Sequence, residues 1–352
     1  SHIDTVRTGG RFDGNLGVLA GLEVIETLES NGITTEHPFA VAFFTDEEGA
    51  RFQPDMLGSL VYAGGMGLEE ALDVVGIDGT VLGEELDRIG YRGISPCPGI
   101  APRAFVELHV EQGPVLEADG VTIGAVTGVQ GISWTELAIT GQSNHAGTTP
   151  MDLRHDPGYV AALIASHVRQ LAIRMGGRQV ATVGSLELHP NLVNVVAGSA
   201  TMTVDLRNTD EALLVEAEAD LARFVAEAAA AEGVTVAERT LARFQPVAFD
   251  DRVVDTVAAV AAELGHSVKR LPSGAGHDAQ MMARLCPTGM VFVPSRDGIS
   301  HNPAEYTEPD DLVAGADVLL GSMLALDAMD LSMNSAPQGR DVTSTDAAGG
   351  TR

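Results

Sequence analysis

The chain has 352 residues, 45% of them hydrophobic, so it can bury a large core and is long enough for two domains. Its formal net charge of −28 repels nucleic acid and anionic membrane surfaces, so neither is an expected partner. The two cysteines, Cys97 and Cys286, offer neither a disulfide framework nor a thiolate metal site, and they fit a reducing compartment. No apolar run is as long as a membrane span and no signal peptide precedes the first motif, so we expect a cytoplasmic protein.

Strands and helices alternate in the first and last parts of the chain. Apolar residues at helical spacing predict a helix over residues 16–30 that stops at Asn31-Gly32. Buried strands are predicted at residues 38–45, 104–110 and 288–294, and a closing helix at 310–329. This alternation favours an α/β fold in which a mostly parallel sheet is covered by helices.

The middle of the chain has the order β-α-β-β-α-β, which is typical of the ferredoxin-like unit. The predicted elements are strand 131–140, helix 156–174, strands 179–188 and 199–207, helix 210–232 and strand 233–240. We interpret residues 129–245 as a second domain, with hinges near Gly128-Gly131 and Arg243-Pro246. It is inserted into a first domain that comprises residues 1–128 and 246–330. The tail, residues 331–352, is rich in Ser, Thr, Gly and Asp and is predicted to be disordered.

Five segments carry side chains of the kind that bind metal ions, and most lie where a predicted strand ends. They are His2-Ile3-Asp4, Asp13-Gly14, Glu47-Glu48, His109 in ELHVEQGP and His301 in GISHNPAE. Each alone is weak evidence, because a lone histidine is more often a hydrogen-bonded surface or core residue, and an acidic pair after a strand is usually a solvated turn. Their joint occurrence at strand ends favours a metal site. Imidazole and carboxylate without thiolate suit Zn, Mn, Co or Ni.

The sequence resembles the amidase, hydantoinase and carbamoylase branch of the M20 metallopeptidase family from residue 1 to about residue 330. The segments that carry this resemblance are SHIDTV (1–6), GGRFDGNLGVLAGLEVI (9–25), TDEEGARF (45–52), ELHVEQGPVLE (107–117), TGVQGISW (127–134), NHAGTTPMDLRHD (144–156), VDLRN (204–208), GAGHDA (274–279) and GISHNPAE (298–305). Together they are highly specific.

The resemblance implies a centre of two divalent metal ions, with zinc preferred and Mn, Co or Ni as alternatives. One ion would be bound by His2, Asp13 and His109. The other would be bound by Asp13, Glu48 and His301, so that Asp13 bridges the two.

Two further side chains would assist these ligands. Asp4 would accept the free N–H of His2 and so fix the tautomer of that ring. Glu47 would be the general base, taking a proton from water and later delivering it to the departing nitrogen. Adjacent residues at a strand end point in opposite directions, so Glu48 can bind metal while Glu47 faces the water.

The resemblance also assigns roles to residues of the predicted inserted domain. His145 would stabilise a tetrahedral oxyanion, although a turn histidine explains NHAGTTP equally well without the family. Arg207 would grip the substrate carboxylate as a bidentate fork, the alternative being a surface arginine at a strand end. His277 either lines the pocket or caps a helix start, and we favour the first. The pocket would be completed by Gln130, Asn194 and the backbone around Gly276.

Three features depart from the family pattern. Asp46 stands where the branch usually has Asn. Val196-Ala197-Gly198 stands where Ile-Pro-Gly is usual. A catalytic histidine at position 2 would need a preceding strand to hold it, so we interpret the chain as lacking an N-terminal strand and helices.

The expected function is hydrolysis of a small ureido substrate. We favour N-carbamoyl-L-amino acids, which would yield the amino acid, ammonia and carbon dioxide, because residues 50–64 after the Glu-Glu pair look like those of the carbamoylases. An allantoate or other ureido-acid amidohydrolase is the alternative. The resemblance implies a homodimer with a shared active site, in which His145, Asn194 and Arg207 of the inserted domain help complete the site of the partner. A hypothesis of another class is an inactive, truncated metal-binding dimerisation module.

Overall fold

The computed structural model describes residues 1–332, so the tail predicted to be disordered lies outside the described residues except for Leu331 and Ser332. The helices are α1 (Asn15–Ser30), α2 (Leu57–Tyr62), α3 (Leu68–Leu72), α4 (Leu82–Ile89), α5 (Val115–Asp119), α6 (Pro157–Met175), α7 (Glu211–Glu232), α8 (Asp251–Glu263), α9 (Asp278–Met282) and α10 (Pro309–Asp327). The strands are β1 (Phe105–Val110), β2 (Ile123–Val129), β3 (Gly131–Thr140), β4 (Asn144–His145), β5 (Val180–His189), β6 (Val195–Val196), β7 (Ser199–Asn208), β8 (Thr235–Phe244), β9 (Val247–Ala248), β10 (Val268–Ser273) and β11 (Thr288–Val293).

A mixed five-stranded sheet forms the centre of the first unit. Its order is β1-β11-β2-β10, and β9 also pairs with β2. The pairs β1/β11 and β2/β10 are parallel, as predicted, whereas β11 and β2 are antiparallel, so the sheet is mixed. The link from β1 to β2 contains only the five-residue helix α5. Because so short a link does not form a full helical crossover, β2 runs antiparallel to β1, with β11 between the two strands.

The core of this unit lies between the mixed sheet and helices α1, α8 and α10. Every residue of β11 is buried, as expected for a strand covered on both faces. Leu108 of β1 and Val291 of β11 are fully buried in this core. The carboxyl end of β1 therefore projects His109 from a rigid support.

The apolar segment 38–45 is not the buried strand that the sequence predicted. Among the described residues its pairing is limited to one parallel bridge, between Phe44 and His2. The amide of Phe44 donates to the carbonyl of Ser1 at 2.9 Å. Phe43 is 55% exposed. The segment lies at an edge of the fold, where it is extended but lacks a continuous partner strand.

A separate four-stranded antiparallel sheet has the order β5-β7-β3-β8. With α6 and α7 packed against it, the chain order through this unit is β-α-β-β-α-β. Its own core includes Ile164 of α6, Met202 of β7 and Leu214 of α7. The chain passes between the two sheets at residue 130 and again at residues 245–246.

Local sequence signals set the ends of the long helices in this unit. The carboxylate of Asp156 accepts the amide of Gly158 at 2.9 Å, and Pro157 occupies the first helical position of α6. The carboxylate of Asp210 accepts the amide of Leu213 at 3.1 Å, and α7 ends at Gly233 in the left-handed conformation.

The segment after Glu47-Glu48 folds into the short helices α2, α3 and α4, which share a small apolar cluster around Phe52, Leu57 and Val61. Helices of five to eight residues show too few turns for a clear apolar period, so the sequence did not predict them. Within residues 1–332, none of the helices has both the length and the apolar character that a bilayer crossing requires.

Candidate metal centre

Four of the five side chains predicted to bind metal meet around the carboxylate of the fifth, Asp13, which is 2% exposed and precedes α1. The bridge to Phe44 positions His2, and β1 positions His109. His109 Nε2 lies 3.3 Å and His2 Nε2 3.6 Å from Asp13 Oδ1. These three buried side chains form the first ligand group.

The second ligand group uses the other oxygen of Asp13. His301 Nε2 lies 3.3 Å from Asp13 Oδ2 and 3.4 Å from Glu48 Oε2. The backbone of His301 has a φ of 53°, a left-handed conformation that few side chains adopt without a compensating contact. Because His301 is half exposed, this group opens to solvent.

The donor atoms fit divalent metal ions. Four ligands about 2.1 Å from a tetrahedral zinc ion lie about 3.4 Å from one another, close to the measured 3.3–3.6 Å separations. Glu48 Oε1 is buried without a hydrogen-bond partner in the described residues, and such an oxygen needs a cation or a water molecule. Each group can therefore hold an ion, and Asp13 belongs to both.

The same contacts shift the pKa values of the groups. Burial would raise the pKa of Asp13, but hydrogen bonds with His109, His2 and His301 hold it far below its ordinary value. Burial lowers the pKa of His2, yet Asp13 and Glu47 outweigh burial and raise it to about 10. Protons and metal ions therefore compete for these imidazoles.

Glu47 lies beside the first group without belonging to it. Its carboxylate is buried, and Oε2 lies 3.4 Å from His2 Nε2. Burial raises the pKa of Glu47 well above its ordinary value. A raised pKa makes the carboxylate a stronger base, as a group that removes a proton from water requires.

Asp4 acts differently from the prediction. Its carboxylate accepts the amides of Glu47 and Glu48, at 3.2 and 3.1 Å. His2 Nδ1 instead lies 3.0 Å from the main-chain carbonyl of Asp4, and 3.7 Å from its carboxylate. The carbonyl is thus the nearer acceptor for His2, while the carboxylate anchors the Glu47-Glu48 turn.

The sequence analysis missed two residues that hold the centre together. Gln112 Nε2 donates to Asp13 Oδ2 at 3.1 Å. Glu305 Oε1 accepts the amides of Phe12 and Asp13, at 2.9 and 3.0 Å, and so ties this loop to the loop that carries His301. Both residues lie within segments already singled out, ELHVEQGP and GISHNPAE. Their position three or four residues beyond a metal-type histidine was the available signal.

His277 does not line a pocket, contrary to the favoured interpretation. It is 1% exposed, and its ring centroid lies 4.6 Å from that of His109. Burial and the neighbouring His109 lower the pKa of His277 to about 3. Its Nε2 lies 2.9 Å from Ser273 Oγ. His277 precedes α9 but makes no side-chain capping bond, so it packs behind His109.

A cleft of about 740 Å³ runs between the two sheets, and Gln112, Gln130 and Arg207 line it together with Gly274 and Ala275. Arg207 Nη2 lies 2.9 Å from Asp205 Oδ2, and Nη1 donates to the carbonyl of Gly274 at 2.6 Å. Arg207 therefore faces the cleft of its own chain, whereas the sequence had suggested that it serves the site of a partner. Gly276 packs against Met56, whose Cε would lie 3.0 Å from an added Cβ.

Two predicted residues stand apart from this assembly. His145 is exposed, and its Nδ1 accepts the amides of Gly147 and Thr148, at 3.0 and 3.2 Å. Nδ1 therefore carries no proton, and Nε2–H is directed away from this turn as a donor. Asn194 is also exposed, and its carbonyl accepts the amide of Ala146 at 2.9 Å. Within residues 1–332, no recorded hydrogen bond or ion pair joins either side chain to Asp13 or the histidines around it.

Comparison with known sequences gives a consistent assignment. Residues 1–325 match Peptidase family M20/M25/M40. The chain is 42% identical to the N-carbamoyl-L-amino-acid amidohydrolase of Rhizobium meliloti, over 92% of this chain and 78% of that protein. It is 36% identical to the allantoate amidohydrolase of Escherichia coli K12, over 91% and 78%. It is 34% identical to the ureidoglycolate hydrolase of Arabidopsis thaliana, over 91% and 69%.

Solved structures give the same result. An amidase of the hydantoinase/carbamoylase family from Burkholderia multivorans superposes with a TM-score of 0.91 at 46% identity. The match covers 94% of this chain and 80% of that one. The mixed sheet and the separate antiparallel sheet are thus the architecture of these relatives. The chain belongs to peptidase family M20/M25/M40, in its hydantoinase/carbamoylase amidase branch, and is a hydrolase.

Proposed function

We propose that this protein is a di-metal amidohydrolase that converts N-carbamoyl-L-amino acids to the amino acid, ammonia and carbon dioxide. The observation that carries the proposal is the convergence of His2, His109, His301 and Glu48 on the two oxygens of Asp13, with buried Glu47 beside them. Relatives at about 40% identity bear the name of this activity, which supports the substrate class.

The ligands in the proposal are His2, Asp13 and His109 for one ion and Asp13, Glu48 and His301 for the other. Two divalent ions held there would lower the pKa of a water molecule and polarise the ureido carbonyl, which its two nitrogens make unreactive. Zinc is the preferred ion, and Mn, Co or Ni also suit these donors.

Glu47 moves the proton in this proposal. Its carboxylate takes a proton from the attacking water and then delivers it to the departing nitrogen. Asp4 holds the amide of Glu47, and that of Glu48, so that the two neighbouring carboxylates keep separate directions. The raised pKa of Glu47 fits both its acceptance and its later release of the proton.

His145 and Asn194 act, in this proposal, on the site of a second copy of the chain. The exposed Nε2–H of His145 is a donor suited to an oxyanion, and it has no partner from its own metal centre in residues 1–332. In this proposal, residues 129–245 form a domain that is inserted between residues 1–128 and 246–330. A two-fold dimer through this domain would bring the Nε2–H of His145 to the partner's site. Arg207 and Gln130 would bind the substrate within the same chain.

A substrate panel with ammonia detection tests the proposal. Metal-reconstituted protein is given N-carbamoyl amino acids of both hands, allantoate and a dipeptide, with Glu47→Gln as the inactive control. We expect the N-carbamoyl-L-amino acids to have the highest kcat/KM. A higher value for allantoate would favour the second candidate, which the Escherichia coli relative supports. Release of amino acids from the dipeptide alone would contradict both.

A further inference from the structure

The cleft between the sheets carries a cation that the reaction described above does not use. On the wall formed by the antiparallel sheet, Arg178, Val180 and Thr182 line the cleft. Val180 and Thr182 are alternate residues of β5 and share one face of that strand, whereas Arg178 is exposed in the turn just before it. Val180 pairs with Arg207 in the register of β5 and β7, so the turn that carries Arg178 adjoins this pair along the chain.

The opposite wall, formed by the mixed sheet, presents Lys269 and Leu271 of β10 to the cleft. Lys269 is the only lysine of the chain. It contacts Asp119 in a pair whose side chains are 38% and 45% exposed, so solvent weakens the pairing. Each wall of the cleft therefore carries one cationic side chain that the proposed reaction does not use, Arg178 on one wall and Lys269 on the other.

The acidic groups that line the cleft are engaged elsewhere. Asp205 pairs with Arg207. The carboxylate of Glu111 accepts the amides of Val115 and Leu116, both at 2.8 Å. Arg178 makes no ion pair within residues 1–332. The cleft thus holds an uncompensated guanidinium although the whole chain carries a net charge of −28.

This charge distribution favours an anionic ligand. Cations set in a cleft with protein walls concentrate anions there, and a guanidinium binds a carboxylate through two parallel hydrogen bonds. The volume of about 740 Å³ lies within the range of roughly 300–1,000 Å³ of pockets that enclose drug-sized ligands. A ureido acid with an extended side chain therefore has space in it.

We propose that this cleft selects ureido acids that carry a second carboxylate on the side chain, with Arg178 binding that carboxylate and Lys269 attracting it from the opposite wall. This inference rests on the proposed function and narrows its substrate class to N-carbamoyl dicarboxylic amino acids. Arg207 would still bind the α-carboxylate, which every N-carbamoyl amino acid has.

Isosteric pairs of substrates test the inference. The metal-loaded protein is assayed with N-carbamoyl-L-aspartate against N-carbamoyl-L-asparagine, and with the glutamate derivative against the glutamine derivative. We expect kcat/KM for at least one acid to exceed that of its amide by about tenfold or more, the range for a hydrogen bond to a charged group. The ratio should fall at 0.5 M NaCl, because salt screens an exposed arginine.

Variants locate the effect. Arg178→Gln should lower the acid-to-amide ratio about tenfold. Arg178→Lys should keep only part of the ratio, because an ammonium keeps the charge but not the two parallel hydrogen bonds. Lys269→Met should lower the ratio less than Arg178→Gln. Arg174→Gln is the matched control, because Arg174 lies on α6 just before the same turn and pairs with Asp220 outside the cleft. Calorimetric binding of the acid and the amide to the Glu47→Gln protein gives the same comparison without turnover.

The outcomes separate the two proposals. If the amides are hydrolysed as well as the acids, or if Arg178→Gln keeps the preference, the inference is wrong while the proposed function stands. If no N-carbamoyl compound is hydrolysed or bound by metal-loaded protein, both are wrong. An acid preference that Arg178→Gln removes and Arg174→Gln retains supports the inference.

Discussion

At the scale of single residues, the candidate metal centre contains buried carboxylates, whose charged form is unfavourable unless other groups stabilise it. Asp13 is buried but is surrounded by three imidazoles, so its charged form is stabilised. Glu47 is buried with one imidazole beside it, and burial dominates its pKa. Two acidic residues that both contact His2 thus receive opposite pKa shifts, which would suit Asp13 to bind a metal ion and Glu47 to act as a base.

Glu47→Gln should retain the metal ions and lose most of the turnover, because it removes the proton carrier but leaves the shape of the side chain. We expect kcat to fall by roughly 10²–10⁴-fold. Steady-state kinetics and metal analysis on the same preparation measure the two effects. The exposed Glu84→Gln is a control for the substitution itself. Activity within threefold of the unaltered protein would rule out the assigned role.

Asp46→Asn should stabilise the protein at alkaline pH. Burial and the charge of Asp4 raise the pKa of Asp46 from 3.8 to about 7, and its Oδ2 has no partner in the described residues. The folded protein therefore binds this proton more tightly than the unfolded chain. Stability is lost as the pH rises from about 4 to 7. Asn removes that loss and tolerates the φ of 58° at this position.

Thermal unfolding at pH 5 and pH 8 measures the difference. We expect the Tm of Asp46→Asn to exceed that of the unaltered protein by several degrees at pH 8, where roughly 2–4 °C corresponds to 1 kcal/mol, and by less at pH 5. The same substitution at exposed Asp87 is the control. An advantage that does not grow with pH would show that the buried charge is not its cause.

At the scale of elements, the sequence predicted the long helices and the well-paired strands because their signals are local. Helix α6 has its cap at Asp156 and its proline at position 157, and β11 is a short continuous apolar run. The segment 38–45 has the same apolar run as β11 but lacks a partner strand over most of its length. Composition cannot distinguish these two cases, since pairing depends on distant parts of the chain.

Dependence on distant parts of the chain also limited the prediction of the candidate metal centre. The five metal-type side chains could be recognised because imidazole and carboxylate stand out by type at strand ends. The position of Glu305 near His301 was a signal, but its role could not be predicted, because its carboxylate accepts amides 292 and 293 positions away. The contacts of the Asp4 carboxylate were likewise not predicted, since the amides of Glu47 and Glu48 that donate to it are placed by the fold of the turn.

Glu305→Ala should weaken metal binding although Glu305 is no ligand. Its carboxylate ties the loop before α1 to the loop of His301, so its loss frees both sides of the second ligand group. Residues that orient ligands typically contribute roughly 10–100-fold to metal affinity. Titration with a competing chelator measures the change. Exposed Glu308→Ala, three residues on, should leave the affinity unaltered. Equal affinity in the two variants would contradict the link.

At the scale of the whole molecule, one chain does not bring together all the groups that the proposed function assigns to a site. Arg207 lines the cleft between the sheets together with Gln112, which donates to Asp13 of the same chain. His145 and Asn194 are exposed on the other unit, beside β4 and β6. A dimer through residues 129–245 would resolve this separation, and it distinguishes residues that act within a chain from residues that act across the interface.

Mixing two inactive variants should restore activity only when their defects lie on opposite sides of that interface. With Glu47→Gln and His145→Ala, every heterodimer has one site with both defects and one intact site. After full exchange, half of the dimers are heterodimers, so activity should approach a quarter of that of the unaltered protein. With Glu47→Gln and Arg207→Ala, both defects act within their own chain, every site stays defective, and no activity should return. Exchange is verified with a tagged subunit. If it is complete and the first mixture stays inactive, His145 does not serve the partner's site.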